Sequence, residues 1–168
     1  TGKPVSLGGS LGRNDATGRG AYYALRELVK VLKLNPKKLR VAIQGFGNAG
    51  FHVAALLHKD GFRIVGLSDS KGGIFTDNGT LDPNSIMKVK EKQGTLEGVY
   101  CRGTVCDVID HRKITNEQLL ESNVDILIPA ALEKKITKDN ALRIKANIIC
   151  EIPNWTTTAE ADEILTKK

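Results

Sequence analysis

The 168-residue sequence lacks the features that mark several large classes of protein. It has three cysteines (Cys101, Cys106 and Cys150) and no CxxC spacing, which argues against a disulfide framework and against a cysteine-ligated zinc site. No apolar run reaches the roughly 20 residues of a membrane span, and the amino terminus has no signal-peptide pattern. We therefore expect a cytoplasmic protein without a membrane partner, whose thiols are idle in a reducing compartment.

Aromatic residues are also scarce, at 5% of the chain. The basic residues that give the formal net charge of +6 are interspersed with acidic ones, as in KVKEKQ and LEKKITKD. A nucleic-acid-binding surface usually combines clustered basic residues with a recognisable motif, so this pattern predicts a solvated basic surface and no nucleic-acid partner.

Methionine occurs once, as Met87, and the chain begins at Thr1. We therefore expect the sequence to be a piece of a longer protein. Its length suits one domain with a substantial core, and its 40% hydrophobic and 26% charged residues are ordinary for a globular protein.

Glycine is plentiful, with 17 residues, and the most informative stretch of sequence runs from Val41 to Asp69. An apolar run enters the pattern GFGNAG at residues 45–50, a helical pattern follows, and a second apolar run ends at Asp69. This succession of strand, glycine turn, helix, strand and acid is typical of a dinucleotide-binding βαβ unit. In such a unit the helix N-terminus faces the pyrophosphate and the acid accepts hydrogen bonds from the adenosine ribose. A packed βαβ unit with no ligand is the alternative interpretation.

The remaining patterns predict further helices and strands. We predict helices over Ala16–Leu32, Pro83–Gln93, Thr115–Glu121, Thr137–Ile144 and Ala159–Leu165. We predict strands over Val124–Pro129 and Asn147–Glu151, with further strand residues at Tyr100 and Val105–Ile109. Residues 70–84 are dense in glycine, asparagine and aspartate and are predicted to form a long surface loop.

Side-chain roles within these helices can also be predicted. In the first helix, Ala21, Leu25, Leu28 and Leu32 recur at helical spacing, with Tyr22 and Val29 beside them, and are expected to face the core. Asn14 or Asp15 is expected as the N-cap. Asp82 is expected to cap the second predicted helix, and Thr115 to open a capping box with Gln118 in the third.

The alternation of strands and helices predicts an α/β fold, with a Rossmann-like, doubly wound, mostly parallel sheet and helices on both faces. Ligands of such sheets lie beyond the carboxyl ends of the strands. Those ends are expected at Gly45, Asp69, Pro129 and Glu151. His52 and His58 are six residues apart on one helix, about 240° around its axis, and so cannot share a metal. No metal site and no catalytic residue is predicted.

Five stretches, in order and over nearly the whole chain, resemble the glutamate, leucine, phenylalanine and valine dehydrogenase family. They are KPVSLGGSLGRNDATGRG at 3–20, QGFGNAG at 44–50, VGLSDSKGGI at 65–74, DILIPAALE at 125–133 and TTAEADEIL at 157–165. QGFGNAG together with SDSKGG and GGSLGR favours the glutamate dehydrogenases over the branched-chain enzymes of the family.

The resemblance implies that residues 1–168 form the NAD(P)-binding domain of an enzyme that oxidatively deaminates glutamate to 2-oxoglutarate and ammonia. The family's catalytic lysine and aspartate belong to a preceding substrate domain, so this chain alone is expected to be inactive. The implied partners are the nicotinamide dinucleotide, that substrate domain and further copies in a homo-oligomer. Two alternatives are a stand-alone NAD(P)-binding or nucleotide-sensing module and the cofactor domain of a branched-chain amino-acid dehydrogenase.

The resemblance also implies which residues contact the cofactor. The pyrophosphate turn matches Gly45, Phe46, Gly47, Asn48, Ala49 and Gly50, and the adenosine ribose site matches Asp69 and Ser70. The nicotinamide end matches Arg13, Thr17, Ala130, Ala131 and Asn154. Asp69 would repel a 2′-phosphate and favours NAD, whereas Ser70 and Lys71 could bind that phosphate and leave NADP possible.

The chain departs from the family pattern after Glu151. Ile152 and Trp155 stand where the family has glycines, and Thr156 stands where it has a proline. A side chain is costly where a glycine has a positive φ. We therefore expect this loop to be displaced from the family position.

Overall fold

The computed structural model describes residues 3–96, 100–102, 105–107 and 111–168. Its eight strands are β1 (Arg40–Gln44), β2 (Arg63–Asp69), β3 (Gly72–Phe75), β4 (Tyr100–Arg102), β5 (Val105–Asp107), β6 (Arg112–Ile114), β7 (Ile126–Pro129) and β8 (Ile148–Ile149). Six of them form one sheet in the order β6-β3-β2-β1-β7-β8. Strands β4 and β5 form a separate antiparallel pair.

The centre of the six-stranded sheet is parallel. Strand β1 pairs in parallel with β2 and β7, and β7 pairs in parallel with β8. Strand β3 runs antiparallel to both β2 and β6, which extends one edge of the sheet. The predicted mostly parallel sheet is therefore confirmed, with an antiparallel edge added to it.

Within the described residues, five α-helices accompany the sheet: α1 (Ala16–Val31), α2 (Asn48–Lys59), α3 (Pro83–Gln93), α4 (Asn116–Leu120) and α5 (Ala159–Thr166). The predicted caps of α3 and α4 are confirmed. The Asp82 carboxylate accepts a hydrogen bond from the Asn84 N–H (3.0 Å), and Thr115 and Gln118 form a complete capping box.

The alternating side chains of β1 separate two hydrophobic cores, because successive residues of a strand point to opposite faces. Val41 and Ile43 belong to the core that α1, α2 and α3 cover, whereas Ala42 belongs to the core that α4 and α5 cover. Helices therefore lie on both faces of the sheet, and the fold is Rossmann-like and doubly wound.

The predicted loop over residues 70–84 is wrong in its first part, where Gly72–Phe75 form β3. Ile74 and Phe75 are buried. A Cβ on Gly73 would lie 2.7 Å from the Leu67 carbonyl oxygen, so a residue without a side chain lets β3 approach β2 closely. The glycines that suggest a loop in the sequence belong to a tight hairpin.

The buried face of α1 agrees only in part with the predicted one, since Tyr22, Leu25 and Val29 are buried and Leu28 and Leu32 are not. Leu28 is 38% exposed and Leu32 is 50% exposed, whereas the buried residues are Gly18, Tyr22, Leu25 and Val29. The face is rotated because α1 packs closely on α2, where a Cβ on Gly18 would lie 2.6 Å from the Ala49 carbonyl oxygen. Asp15 occupies the N-cap position without a capping hydrogen bond, and its carboxylate pairs with Arg19.

The predicted helix over Thr137–Ile144 is reduced to a 3-10 turn at Ala141–Arg143. The Asn140 side chain accepts a hydrogen bond from the Thr137 N–H (2.9 Å) and donates one to the Lys135 carbonyl (2.8 Å). This local bonding competes with helix formation.

Two predicted strands are shorter than expected. The strand predicted over 147–151 is Ile148–Ile149, and the one predicted over 124–129 is Ile126–Pro129. Of the strand residues predicted over 105–109, Val105–Asp107 form β5. Residues 108 and 109 lie outside the described residues. In the described part of the chain, no helix is long and apolar enough to cross a membrane.

Candidate functional site

A cleft of about 810 Å³ opens at the carboxyl ends of β1, β2 and β7. The turn after β1, the end of β2, the segment after β7 and residues of α3 and α4 contribute to its lining. This is the edge at which parallel α/β sheets bind their ligands. The cleft is lined by Gln44, Gly45, Phe46, Gly47, Asp69, Ser70, Lys90, Asn116, Glu117, Leu120, Ala130, Ala131, Leu132, Lys134, Lys135, Thr137 and Asn140.

The glycines of the turn have different surroundings. Gly45 has a φ of 101°, and a Cβ there would lie 2.7 Å from the carbonyl carbon of Ala130. A Cβ on Gly50 would lie 2.0 Å from the Gly45 carbonyl oxygen. A Cβ on Gly47 would meet nothing within 4 Å. Gly45 and Gly50 thus permit close backbone packing, whereas Gly47 leaves bare backbone facing open space.

Helix α2 begins directly after this turn. The first intrahelical hydrogen bond runs from the Phe51 N–H to the Gly47 carbonyl (2.8 Å). The N–H groups of Asn48, Ala49 and Gly50 precede it and have no partner within the helix. Together with the positive end of the helix dipole, such N–H groups suit an anionic ligand.

Ser68 ties the turn to the end of β2. Its carbonyl oxygen accepts hydrogen bonds from the N–H groups of Gly45 (2.8 Å) and Phe46 (2.6 Å). Its hydroxyl donates to Asn116 (2.7 Å), whose side-chain amide donates to the Asp69 carbonyl (2.9 Å). The turn, β2 and the start of α4 therefore form one hydrogen-bonded unit.

The Asp69 carboxylate is already paired. One oxygen accepts a hydrogen bond from the Lys71 N–H (2.8 Å), and the other lies 2.9 Å from the Lys90 ammonium. The same ammonium donates to the Phe46 carbonyl (2.7 Å). The Asp69 side chain is 12% exposed and that of Lys90 is 25% exposed. A lysine from α3 thus joins the turn to the acid at the end of β2.

The buried Gln44 side chain also lines the cleft. Within the described residues its carbonyl oxygen has no hydrogen-bond partner, although it is fully buried. A buried acceptor without a partner carries a desolvation cost that a ligand donor would relieve. The open space at Gly47 and the N-terminus of α2 fit an anionic group, whereas this acceptor fits a hydrogen-bond donor of the same ligand.

The loop after β8 lies beside the cleft. Asn154 lines a neighbouring pocket of about 480 Å³ together with Ala131 and Lys134. The Glu151 carboxylate accepts hydrogen bonds from the N–H groups of Thr156 (2.9 Å) and Thr157 (3.1 Å). Trp155 is 77% exposed and has a φ of 54°. A non-glycine residue therefore adopts a left-handed conformation at a position where the family has glycine.

The structure brings most of the predicted cofactor residues to one place. Those that line the cleft are Gly45, Phe46, Gly47, Asp69, Ser70, Ala130 and Ala131. Asn48, Ala49 and Gly50 form the first turn of α2, directly after the cleft-lining Gly47. Asn154 lies in the neighbouring pocket.

The two predicted cofactor residues of the amino-terminal segment lie outside the cleft. Arg13 and Thr17 are exposed, are hydrogen-bonded to each other (3.3 Å), and are not among the described residues that line the cleft. Their segment reaches the turn through Asn14, whose carbonyl accepts a hydrogen bond from the Asn48 side chain (2.6 Å).

Sequence reasoning missed Lys90, Asn116, Lys134 and Lys135, which all line the cleft. A signal for Lys90 exists, because it follows the buried Ile86 by four residues on α3 and so lies on the same helix face.

The remaining reactive groups of the described chain offer no second site. Burial, with a smaller contribution from Glu151, raises the pKa of the Cys150 thiol, which is typical of an unreactive cysteine. Within the described ranges, no group of His, Cys, Asp and Glu residues is arranged to hold a metal ion.

The chain is similar in sequence to glutamate dehydrogenases. It is 46% identical over 168 residues to the NADP-specific glutamate dehydrogenase of Synechocystis sp. and 47% identical over 169 residues to the glutamate dehydrogenase of Thermotoga maritima. It is 39% identical over 168 residues to a cryptic catabolic NAD-specific glutamate dehydrogenase of Bacillus subtilis. Each match covers the whole chain, which spans 37–39% of the length of these relatives.

Solved structures and a family model agree with these similarities. The hetero-hexameric glutamate dehydrogenase of Thermus thermophilus, in its leucine-bound form, superposes with a TM-score of 0.84 at 32% identity. That match covers 99% of this chain and 37% of the other. Residues 8–168 match the family model described as Glutamate/Leucine/Phenylalanine/Valine dehydrogenase. The chain therefore belongs to the glutamate, leucine, phenylalanine and valine dehydrogenase family.

Proposed function

We propose that residues 1–168 form the dinucleotide-binding domain of an NAD(P)-dependent glutamate dehydrogenase. The proposed reaction is the oxidative deamination of glutamate to 2-oxoglutarate and ammonia. The observation that carries the proposal is the cleft where the glycine turn, the N-terminus of α2 and Asp69 meet at the carboxyl ends of β1 and β2. The curated relatives at 39–47% identity are glutamate dehydrogenases, which favours glutamate over a branched-chain amino acid.

The residues of the cleft suit the two halves of a dinucleotide. The first-turn N–H groups of α2 would bind the pyrophosphate across the bare backbone of Gly47. Asp69 would accept hydrogen bonds from the adenosine ribose. Ala130 and Ala131, which follow β7 and line the cleft, would contact the nicotinamide ribose through their backbone. The bound nicotinamide would supply the hydride acceptor, and the chain's own part is to hold and orient it.

The reaction needs more groups than this chain is proposed to supply. The chain spans 37–39% of the length of its curated relatives. We propose that the groups that bind glutamate and transfer protons lie elsewhere in a longer protein, which would assemble as an oligomer. Substrate positioning and proton transfer are each worth orders of magnitude in rate. The chain alone should therefore produce no NADH from glutamate and NAD, and production by the purified chain would contradict this division of roles.

Calorimetry with NADH, NADPH and ADP-ribose tests the binding role. We expect the 168-residue chain, once shown to unfold cooperatively, to bind all three ligands. Gly47→Val should abolish binding, because its side chain would occupy the open space that the pyrophosphate needs.

Gly20→Val is the matched control, since a Cβ on Gly20 also meets nothing within 4 Å but the residue lies on α1. It should bind as the unmodified chain does. If the folded, unmodified chain binds none of the three ligands, the proposed function is refuted.

A further inference from the structure

We propose that Lys90 determines whether this site accepts a 2′-phosphate, and that it does so by neutralising Asp69. The inference rests on the proposed dinucleotide-binding function and adds a residue that sets the choice between NAD and NADP. It concerns the pair formed by the Asp69 carboxylate and the Lys90 ammonium (2.9 Å), at the point where an adenosine ribose would lie.

The charge balance at this point differs from that of an isolated acid. A lone carboxylate at the end of β2 hydrogen-bonds a 2′-hydroxyl and repels a 2′-phosphate. Here the Lys90 ammonium cancels the charge of Asp69 and leaves its oxygens able to accept hydrogen bonds. Because the Asp69 side chain is 12% exposed, solvent screens the pair less than it screens a surface ion pair.

The position of Lys90 is fixed from two sides. Its ammonium donates to the Phe46 carbonyl (2.7 Å) as well as pairing with Asp69. A lysine ammonium has three donors, so one remains for an oxygen of an incoming phosphate. The lysine thus bridges the turn and the end of β2, which are the two elements that would enclose the adenosine ribose.

Lys71 is the obvious alternative, since it follows Asp69 and Ser70 directly in the chain. Its ammonium donates instead to the Gly94 carbonyl (2.7 Å), and it does not line the cleft. Its backbone N–H, not its charge, contacts Asp69. Of these two lysines, Lys90 is therefore the one whose ammonium pairs with the acid.

The test measures binding of NADH, NADPH, ADP-ribose and 2′-phospho-ADP-ribose to variants of the chain whose folding is checked by thermal unfolding. Lys90→Gln should weaken the binding of NADPH and 2′-phospho-ADP-ribose by about 10- to 100-fold, because the ammonium would no longer neutralise Asp69 or contact the 2′-phosphate. NADH and ADP-ribose should change by less than about threefold, because Asp69 remains available to the 2′-hydroxyl.

Three further variants separate the possible roles. Lys88→Gln removes the same charge from an exposed position on α3 and should change neither class of ligand. Lys90→Arg should preserve binding of NADPH. Asp69→Asn removes the repelling carboxylate and should tighten the binding of NADPH while weakening that of NADH. This comparison does not depend on the folding of the Lys90→Gln variant.

The outcomes are distinct. If Lys90 acts by neutralising Asp69, the penalty of Lys90→Gln on NADPH binding should be smaller in an Asp69→Asn background, because only the direct contact of the ammonium with the phosphate is then lost. A penalty of equal size in both backgrounds, or an equal loss of NADH and NADPH, would overturn the proposal. Failure of the unmodified chain to bind any of the four ligands would instead refute the proposed function on which the proposal rests.

Discussion

The N–H of Lys134 donates a hydrogen bond to the carbonyl oxygen of Trp155 (2.9 Å), and both residues have a positive φ, 52° and 54° respectively. Two left-handed, non-glycine residues are thus joined next to the pocket that Asn154 lines. Such a conformation costs roughly 1–2 kcal/mol for a residue with a Cβ. The segment after β7 and the loop after β8 therefore hold each other in a strained arrangement.

This strain predicts an unusual order of stability at position 155. Because a glycine adopts a positive φ without strain, Trp155→Gly should be more stable than Trp155→Ala by about 1 kcal/mol. The tryptophan is 77% exposed, so both variants lose little burial. Urea denaturation of the two variants measures the difference. A more stable alanine variant would show that the backbone at this position is not left-handed in solution.

Trp155 is the only tryptophan, so its fluorescence reports on the loop. Trp155 does not line the cleft in the described structure. We therefore expect NADH and ADP-ribose to bind and to leave the emission nearly unchanged. Strong quenching by NADH but not by ADP-ribose would place the indole beside the nicotinamide and contradict this expectation.

The glycines of the turn should differ in what they contribute. Gly50→Ala should lower the free energy of unfolding by about 1–3 kcal/mol or more, because its Cβ would lie 2.0 Å from the Gly45 carbonyl oxygen. Gly47→Ala should change stability by less than about 1 kcal/mol, since its Cβ meets nothing within 4 Å. Thermal unfolding of both variants gives the comparison. Equal stability losses would contradict the close packing of Gly50 on the Gly45 backbone.

Asp82 should contribute a pH-dependent part of the stability. Burial raises the pKa of Asp82, but hydrogen bonds from the Ser85 hydroxyl and the Asn84 N–H outweigh it, so the pKa lies below its ordinary value. A lowered pKa in the folded state gives stability that is present above the unfolded-state pKa of about 3.9. That stability is lost as the pH falls through the folded-state pKa.

Asp82→Ala should therefore cost about 1 kcal/mol at pH 7, and the difference from the unmodified chain should narrow below about pH 4. Urea denaturation at pH 7 and pH 3 measures it. Glu91→Ala, at an exposed position of the same helix, is the control and should change stability by less than about 0.5 kcal/mol at pH 7. A constant difference at both pH values would contradict the assigned role of the carboxylate.

Local sequence signals predicted the elements that depend on local physics. The GFGNAG turn, α2 and β2 follow one another as predicted, and the capping box at Thr115 and the Asp82 cap are present. These features are set by backbone conformation, hydrophobic periodicity and hydrogen bonds between residues that are close in sequence.

Apart from the helix predicted over 137–144, which local hydrogen bonds of Asn140 replace, the errors depend on contacts between distant residues. Strand β3 is stabilised by its place between β2 and β6, and its glycine-rich sequence carries no sign of that pairing. The buried face of α1 is set by the close approach of Gly18 to α2. Lys90 lies on a predicted helix, but its pairing with Asp69 depends on how α3 crosses the turn.

The strand pairing that creates the cleft also has consequences for folding. The Arg40 N–H donates to the Asp125 carboxylate (2.7 Å) across 85 residues of sequence, where β1 meets β7. The glycine turn and Asp69 belong to the first βαβ unit, whereas Ala130 and Ala131 follow β7. A chain that has formed only this first unit therefore has only part of the ligand site. Closing so long a loop is entropically costly and slow. The ability to bind the ligand should therefore return late in refolding, after most of the helical structure has formed. A bound dinucleotide would stabilise only molecules whose sheet is complete.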